Sequence, residues 1–267
     1  MIIVILGVIG LCLGSFANAL VWRLHEQDKQ LSIATGRSMC PHCKHTLAAK
    51  DLVPVLSWLS LGGKCRYCRK PISAQYPLVE LAVAGLFVAS YVWWPVAFDH
   101  AQTAIFVLWL ALLTGLIALL VYDLRWFLLP NRLIYPVGGI AAAQTVITIA
   151  TAPNPLTVLL NTILAVLVGG GLFYLLFQVS KGKWIGGGDV KLGSLLGLVA
   201  GTPARSALFI FLASLVGSLV SLPLLATHRL KRTSMIPFGP FLIVAAILVQ
   251  LFGAGIIHWY RQAFINF

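Results

Sequence analysis

Two aspartates stand out in a chain with very little acid. Only 7 of the 267 residues are Asp or Glu, against 19 Lys and Arg. Asp189 follows three glycines in Gly186-Gly187-Gly188-Asp189-Val190-Lys191, at the head of an apolar run. Asp123 ends another apolar run and is followed by Leu129-Pro130-Asn131. A carboxylate at the edge of a membrane segment costs free energy unless it has a task or a partner. Two that share a site repel each other, so one tends to hold a proton while the other stays charged. Such a pair can polarise a peptide carbonyl and activate a water between them, titrating as a unit with no fixed acid or base. The bland alternative for each is a helix-end carboxylate bonded to local N–H groups. Gly186, Gly188 and Lys191 are the candidate loop residues around Asp189. No other intramembrane set pairs a nucleophile with a base, so a serine or metalloprotease reading has no support.

A second constellation lies in the one large polar insertion, residues 24–76. Cys40-Pro41-His42-Cys43 and Cys65-Arg66-Tyr67-Cys68 are two C-x2-C pairs with 21 residues between them. That is the spacing of a four-cysteine zinc site, with Cys40, Cys43, Cys65 and Cys68 as ligands. Four thiolates leave no open coordination position, so the expected Zn2+ is structural. Disulfides are the competing reading, and a reducing compartment disfavours them. His42 and His45 are the candidate ligand swaps.

These groups need a scaffold, and the composition says which kind. Hydrophobic residues make up 60% and charged residues 10%, which excludes an ordinary soluble domain and predicts an all-α, polytopic membrane protein. A span takes roughly 20 apolar residues. About eight candidates follow: 1–22, 77–95, 104–122, 134–150, 158–179, 190–204, 206–226 and 237–260. The 190–204 segment is the shortest, and its Gly193, Ser194 and Gly197 suit tight helix packing. Gly10, Gly14 and Ser15 give the first segment a similar face. With the N-terminus outside, 17 of the 19 Lys and Arg fall on inner segments, so the positive-inside rule supports both count and orientation. The net charge of +12 therefore points to the membrane rather than to nucleic acid. Ala17-Asn18-Ala19 resembles a signal-peptide cleavage site, but no basic stretch precedes it, and a retained first helix is expected. Three divisions follow: a first helix at 1–23, the four-cysteine insertion at 24–76, and a membrane core at 77–267.

Glu80 sits near the start of the second span. It is either a carboxylate favoured by the helix N-terminus or a candidate substrate or cofactor contact at the inner face. Pro237-Phe238-Gly239-Pro240 opens the last span, and its two prolines suggest a rigid re-entry near the active face.

Gly186-x-Gly188-Asp189 resembles the G-x-G-D motif of intramembrane aspartyl proteases. The wider set resembles the bacterial type IV prepilin peptidase family, also called prepilin leader peptidase/N-methyltransferase. The similar stretches are Gly14 to Asn18 with Trp22-Arg23-Leu24, both cysteine pairs, Pro54 to Leu59, Gly63-Lys64, Ile72-Ser73 and Tyr76 to Leu81. They continue with Asp123 and Leu129-Pro130-Asn131, Gly186 to Leu192, and Pro237 to Pro240. The resemblance implies that Asp123 and Asp189 cleave the basic leader of prepilins and pseudopilins at the cytoplasmic face of the inner membrane. It further implies N-methylation of the new N-terminal residue using S-adenosylmethionine, an activity that goes with the four-cysteine insertion. The sequence departs from the family at Gly187, where a large apolar residue is usual, at Ala17, and at Asp51 to Pro54, which lack a common asparagine.

Two other classes compete. A proton-coupled transporter also uses intramembrane acids and glycine-broken helices, but its acids belong near mid-bilayer. A non-catalytic membrane scaffold carrying a zinc module would be indifferent to loss of either aspartate.

Overall fold

The computed structural model describes residues 1–26, 37–227 and 236–264. The basic loop at His228–Arg232 lies outside the described residues. Those described are helical apart from short turns and two isolated β-bridges. They form two compact units, Met1–Trp93 and Trp94–Phe267.

In the first unit, α1 (Ile2–Glu26) packs along α3 (Gln75–Val92). The contact stripe runs through Leu6, Gly10, Gly14, Ala17 and Val21 on α1, and through Val79, Glu80, Val83 and Phe87 on α3. The expected glycine face is real at two positions. A Cβ on Gly10 would lie 2.6 Å from the Ala84 Cα, and one on Gly14 would lie 2.7 Å from the Glu80 Cα. Small residues let the backbones touch, and van der Waals contact holds helices together where lipid offers no hydrophobic drive. The Asn18 amide donates to the Tyr76 carbonyl at 3.1 Å and ties the last turns of α1 to the start of α3. Between these helices lie the cysteine segment and a one-turn helix, α2 (Leu56–Ser60).

The second unit is built on α4 (His100–Trp126). Trp109, Leu112, Leu113, Leu116 and Leu119 are fully buried, as expected of a helix that is apolar all round and central to its bundle. Its start is set by Asp99, whose carboxylate accepts the Gln102 N–H at 2.6 Å. Then come α5 (Asn131–Thr151), α6 (Pro155–Val166), a π turn (Leu167–Gly171) and α7 (Leu172–Ser180). Next are α8 (Gly187–Ala200), α9 (Pro203–Ala226) and α10 (Gly239–Phe264). The starts of α6 and α9 carry Asn154 and Thr202 caps, each followed by proline at the first helical position.

Among the described residues, seven helices are long and apolar enough to cross a membrane, α6, the π turn and α7 counting as one. The remaining expected span is α8, whose 14 residues reach about 21 Å at 1.5 Å per residue, short of a bilayer core of about 30 Å. Gly201 ends it in the left-handed region, and Pro203 starts the next helix. The close packing expected of α8 is present. A Cβ on Gly193 would lie 2.5 Å from the Gly169 carbonyl, and one on Gly197 would lie 2.8 Å from the Ala165 carbonyl. The α8 backbone is thus pressed against the helix at its π turn, which fixes the height of Asp189.

Candidate active site and metal centre

Asp123 lies in the last turn of α4 and is buried at 5% exposure. That turn closes with Phe127 in the left-handed region, its N–H donating to the Asp123 carbonyl at 2.9 Å. Asp189 is the third residue of α8, and its N–H donates to the Gly186 carbonyl at 3.1 Å. Its side chain lies near the Gly186 backbone. The bland local reading of Asp189 is therefore part of the geometry. It is not the whole of it, because Asp123 and Asp189 lie close enough for their charges to interact.

Three contacts border the two acids. The motif glycine Gly188 packs on Leu129 of the Leu-Pro-Asn turn, where an added Cβ would lie 3.2 Å from the Leu129 Cβ. The Lys191 ammonium donates to the Asn131 Oδ1 at 2.8 Å and stands 5.7 Å from the Tyr135 ring centre. The Gly239 N–H donates to the Asp123 carboxylate from the start of α10. A Cβ on Gly239 would lie only 2.5 Å from Asp123 Oδ2. A helix N-terminus has unpaired N–H groups and a positive dipole end, so it suits a carboxylate. The Pro-Phe-Gly-Pro stretch signalled a rigid re-entry, but Gly239 itself, Leu129 and the Asn131–Lys191 bond were not singled out. Their signal is their place inside motifs far apart in sequence. Gly187 has room: a Cβ there would meet only Phe177, at 4.0 Å.

Asp123 sits at the C-terminal end of α4 and Asp189 at the N-terminal end of α8. An acid pair of this kind, bordered by backbone N–H groups and apolar side chains, can bind a water and a carbonyl oxygen together.

The cysteines converge in the first unit. The four sulfurs of Cys40, Cys43, Cys65 and Cys68 lie within 4.8 Å of one another, with Cys40 and Cys68 at 3.9 Å. A tetrahedral Zn2+ with Zn–S of about 2.3 Å needs sulfurs about 3.8 Å apart, so the set fits. The two C-x2-C turns are near copies. Each closes with one β-bridge, Met39 to Thr46 and Lys64 to Pro71. Each places a basic residue, Lys44 or Arg69, at φ near +57° just after its second cysteine. The Cys40 sulfur accepts the N–H groups of His42 and Cys43, and that of Cys65 accepts those of Tyr67 and Cys68. Burial pushes both thiols up and these donors oppose it, leaving the pKa of Cys40 at about 11 and that of Cys65 at about 7; a metal requires the thiolate form. His45 stacks on Tyr67 at 3.7 Å, outside the sulfur set.

Asp51, absent from the sequence-based candidates, ties the two turns together. It accepts Arg66 Nε at 2.6 Å, the Tyr67 hydroxyl at 3.1 Å and the Ala48 N–H at 3.2 Å. Burial pushes its carboxyl up, but these donors outweigh burial and hold it below the usual carboxylate range. Lys44 reaches α1, pairing with Glu26 at 2.6 Å and standing 5.1 Å from the Trp22 ring centre. Glu80 is 6% exposed and accepts the Val55 N–H at 2.7 Å, with Ser15 as a second donor.

Comparison with known proteins agrees with this division. Residues 8–94 match the bacterial peptidase A24 N-terminal domain, and residues 104–222 match the type IV leader peptidase family. A prepilin leader peptidase/N-methyltransferase of Bacillus subtilis (strain 168) is 33% identical over 257 residues, covering 96% of each chain. One of Aeromonas hydrophila is 32% identical over 285 residues, covering 96% of this chain and 92% of its own. One of Pseudomonas aeruginosa is 31% identical over 274 residues, covering 95% and 91%. No solved structure matches. The end-to-end similarity and the two matched domains show that the chain belongs to the type IV leader peptidase family.

Proposed function

We propose that this protein removes the leader of type IV prepilins and type II secretion pseudopilins, and then methylates the new N-terminal residue with S-adenosylmethionine. The peptidase reading is supported by Asp123 and Asp189 lying at two helix ends near enough for their charges to interact, with Gly239 against the Asp123 carboxylate. One carboxyl holds a proton and polarises the scissile carbonyl. The other takes a proton from water as the water attacks, and proton return to the amine releases the leader. Gly186, Gly188 and Lys191 shape and hold the loop. The Lys and Arg of residues 23–70, 125–132 and 181–191 support a cytoplasmic-face site at the inner membrane, with the substrate's apolar helix in the lipid.

Cys40, Cys43, Cys65 and Cys68 hold a Zn2+ that supplies folding energy rather than a reaction step. Glu80 acts first as a tether between α3 and the cysteine segment. Its use as a substrate or cofactor contact would have to share that bond.

The test is mass spectrometry of a prepilin incubated with purified protein, with and without S-adenosylmethionine. Leader loss in both arms, and an added methyl only with S-adenosylmethionine, supports both activities. Leader loss without a methyl in either arm removes the methyltransferase. An uncut substrate removes the peptidase.

A further inference from the structure

The segment 52–59 has a face that nothing among the described residues covers, and its position indicates what does. Leu52, Val53, Leu56 and Leu59 are all exposed, Leu56 at 64% and Leu59 at 60%. Leu56 and Leu59, three residues apart, share one side of α2, and Leu52 and Val53 lie in the turn that leads into it. The opposite side is engaged. Trp58 packs on Gly63 and donates from Nε1 to the Ile72 carbonyl at 3.0 Å. The split is that of a short amphipathic element with its apolar side turned outward.

Its height relative to the bilayer follows from Glu80. Val55 has φ 60° and ψ −51°, and the Leu56 N–H donates to the Pro54 carbonyl at 2.6 Å, which makes a γ-turn of the rare positive-φ form. A β-branched residue resists that conformation. The turn is pinned because the Val55 N–H donates to Glu80 at 2.7 Å. Glu80 is the sixth residue of α3, about 8 Å along the axis from its start at 1.5 Å per residue. α3 is one of the membrane-crossing helices. The backbone at Val55 therefore lies beside the second turn of a helix long and apolar enough to cross a membrane. Lys50, Lys64, Arg69 and Lys70 are exposed in the same unit and carry the charge that anionic headgroups attract.

We propose that residues 52–59 form an interfacial anchor, with Leu52, Val53, Leu56 and Leu59 inserted among phospholipid acyl chains beside α3. The anchor sets the height of the four-cysteine unit at the membrane surface, and Glu80 is the strut that holds it there.

The wild-type protein is reconstituted into vesicles containing phosphatidylglycerol with a diazirine on its acyl chain. It is then irradiated, and adducts are mapped by mass spectrometry. Leu78 and Leu81, exposed on α3, serve as the lipid reference, and residues 41–46 as the aqueous one. Adducts on 52–59 within about two-fold of the Leu78 and Leu81 level support insertion. Adducts no higher than on 41–46 overturn it, including the case in which a second copy or a protein partner covers the face. In Glu80→Gln, whose amide oxygen still accepts the Val55 N–H, labelling of 52–59 stays. In Glu80→Ala it falls toward the aqueous level, while Leu78 and Leu81 label as before. Unchanged labelling in Glu80→Ala removes Glu80 as the strut.

Discussion

Replacing Gly239 with alanine isolates the role of the α10 start in placing Asp123. The new methyl would lie 2.5 Å from Asp123 Oδ2, 3.3 Å from its Cγ and 3.4 Å from Leu192 Cδ2. Ordinary contact begins near 3.4 Å, so the carboxylate or the α10 start must move by about 0.9 Å. Leu192 closes the other side at 0% exposure, which leaves the carboxylate as the group that yields. Its bond from the Gly239 N–H is then lost or lengthened, and a hydrogen bond to a charged group is worth about 1.5–3 kcal/mol. At 1.36 kcal/mol per tenfold in rate, leader cleavage should slow roughly 10- to 100-fold. A misplacement of about 1 Å in a catalytic group has a cost of the same order. The assay is kcat/KM for leader removal, run beside methylation of an already cleaved substrate and zinc content. Both of the latter should hold. Gly139→Ala serves as the control, since a Cβ there meets nothing within 4 Å. Wild-type cleavage by Gly239→Ala would refute the placement of Asp123 against α10.

Other expectations follow from the same geometry. Gly187→Ala should fold and cleave normally, with Tm unchanged or raised, because the site has room and glycine costs about 0.5–1 kcal/mol in a helix. Gly188→Ala should slow cleavage by displacing Leu129. A double-mutant cycle on Lys191→Ala and Asn131→Ala should show coupling of about 0.5–1.5 kcal/mol in cleavage, and additive effects would contradict the bond. Asp51→Asn should lower the temperature at which the full-length protein releases zinc. Asp51 has a lowered folded pKa, so its contribution is complete above the ordinary carboxylate value of about 3.9 and is lost as pH falls through the folded value. The deficit should thus be equal at pH 7 and pH 5. Narrowing within that range would contradict the assigned shift.

Much of the site could be read from the chain because acid is so scarce in it. Asp123 and Asp189 were conspicuous as isolated carboxylates at the ends of apolar runs, and the four cysteines by their spacing. Gly10, Gly14, Gly193 and Gly197 were readable as packing faces, since small residues at one-turn spacing have few other uses in a membrane helix. The remainder depends on contacts between distant segments. Gly239 is more than a hundred residues from the aspartate it touches. Nothing local in Pro-Phe-Gly-Pro says that its N–H faces a carboxylate. Glu80 was readable as a helix-start acid, but its bond to Val55 depends on a γ-turn that no residue preference announces. The shortness of α8 was legible, because Gly201, Pro203 and Arg205 interrupt the apolar run, and Gly201 does end α8 while Pro203 opens α9.

The central claim is that Asp123 and Asp189 act as one catalytic pair. Its most direct test is leader cleavage by Asp123→Asn, Asp189→Asn and the double variant, each carrying its zinc and each still methylating a pre-cleaved substrate. If the two act as a unit, either single variant abolishes cleavage and the double loses nothing further. A single variant that cuts at the wild-type rate would contradict the account.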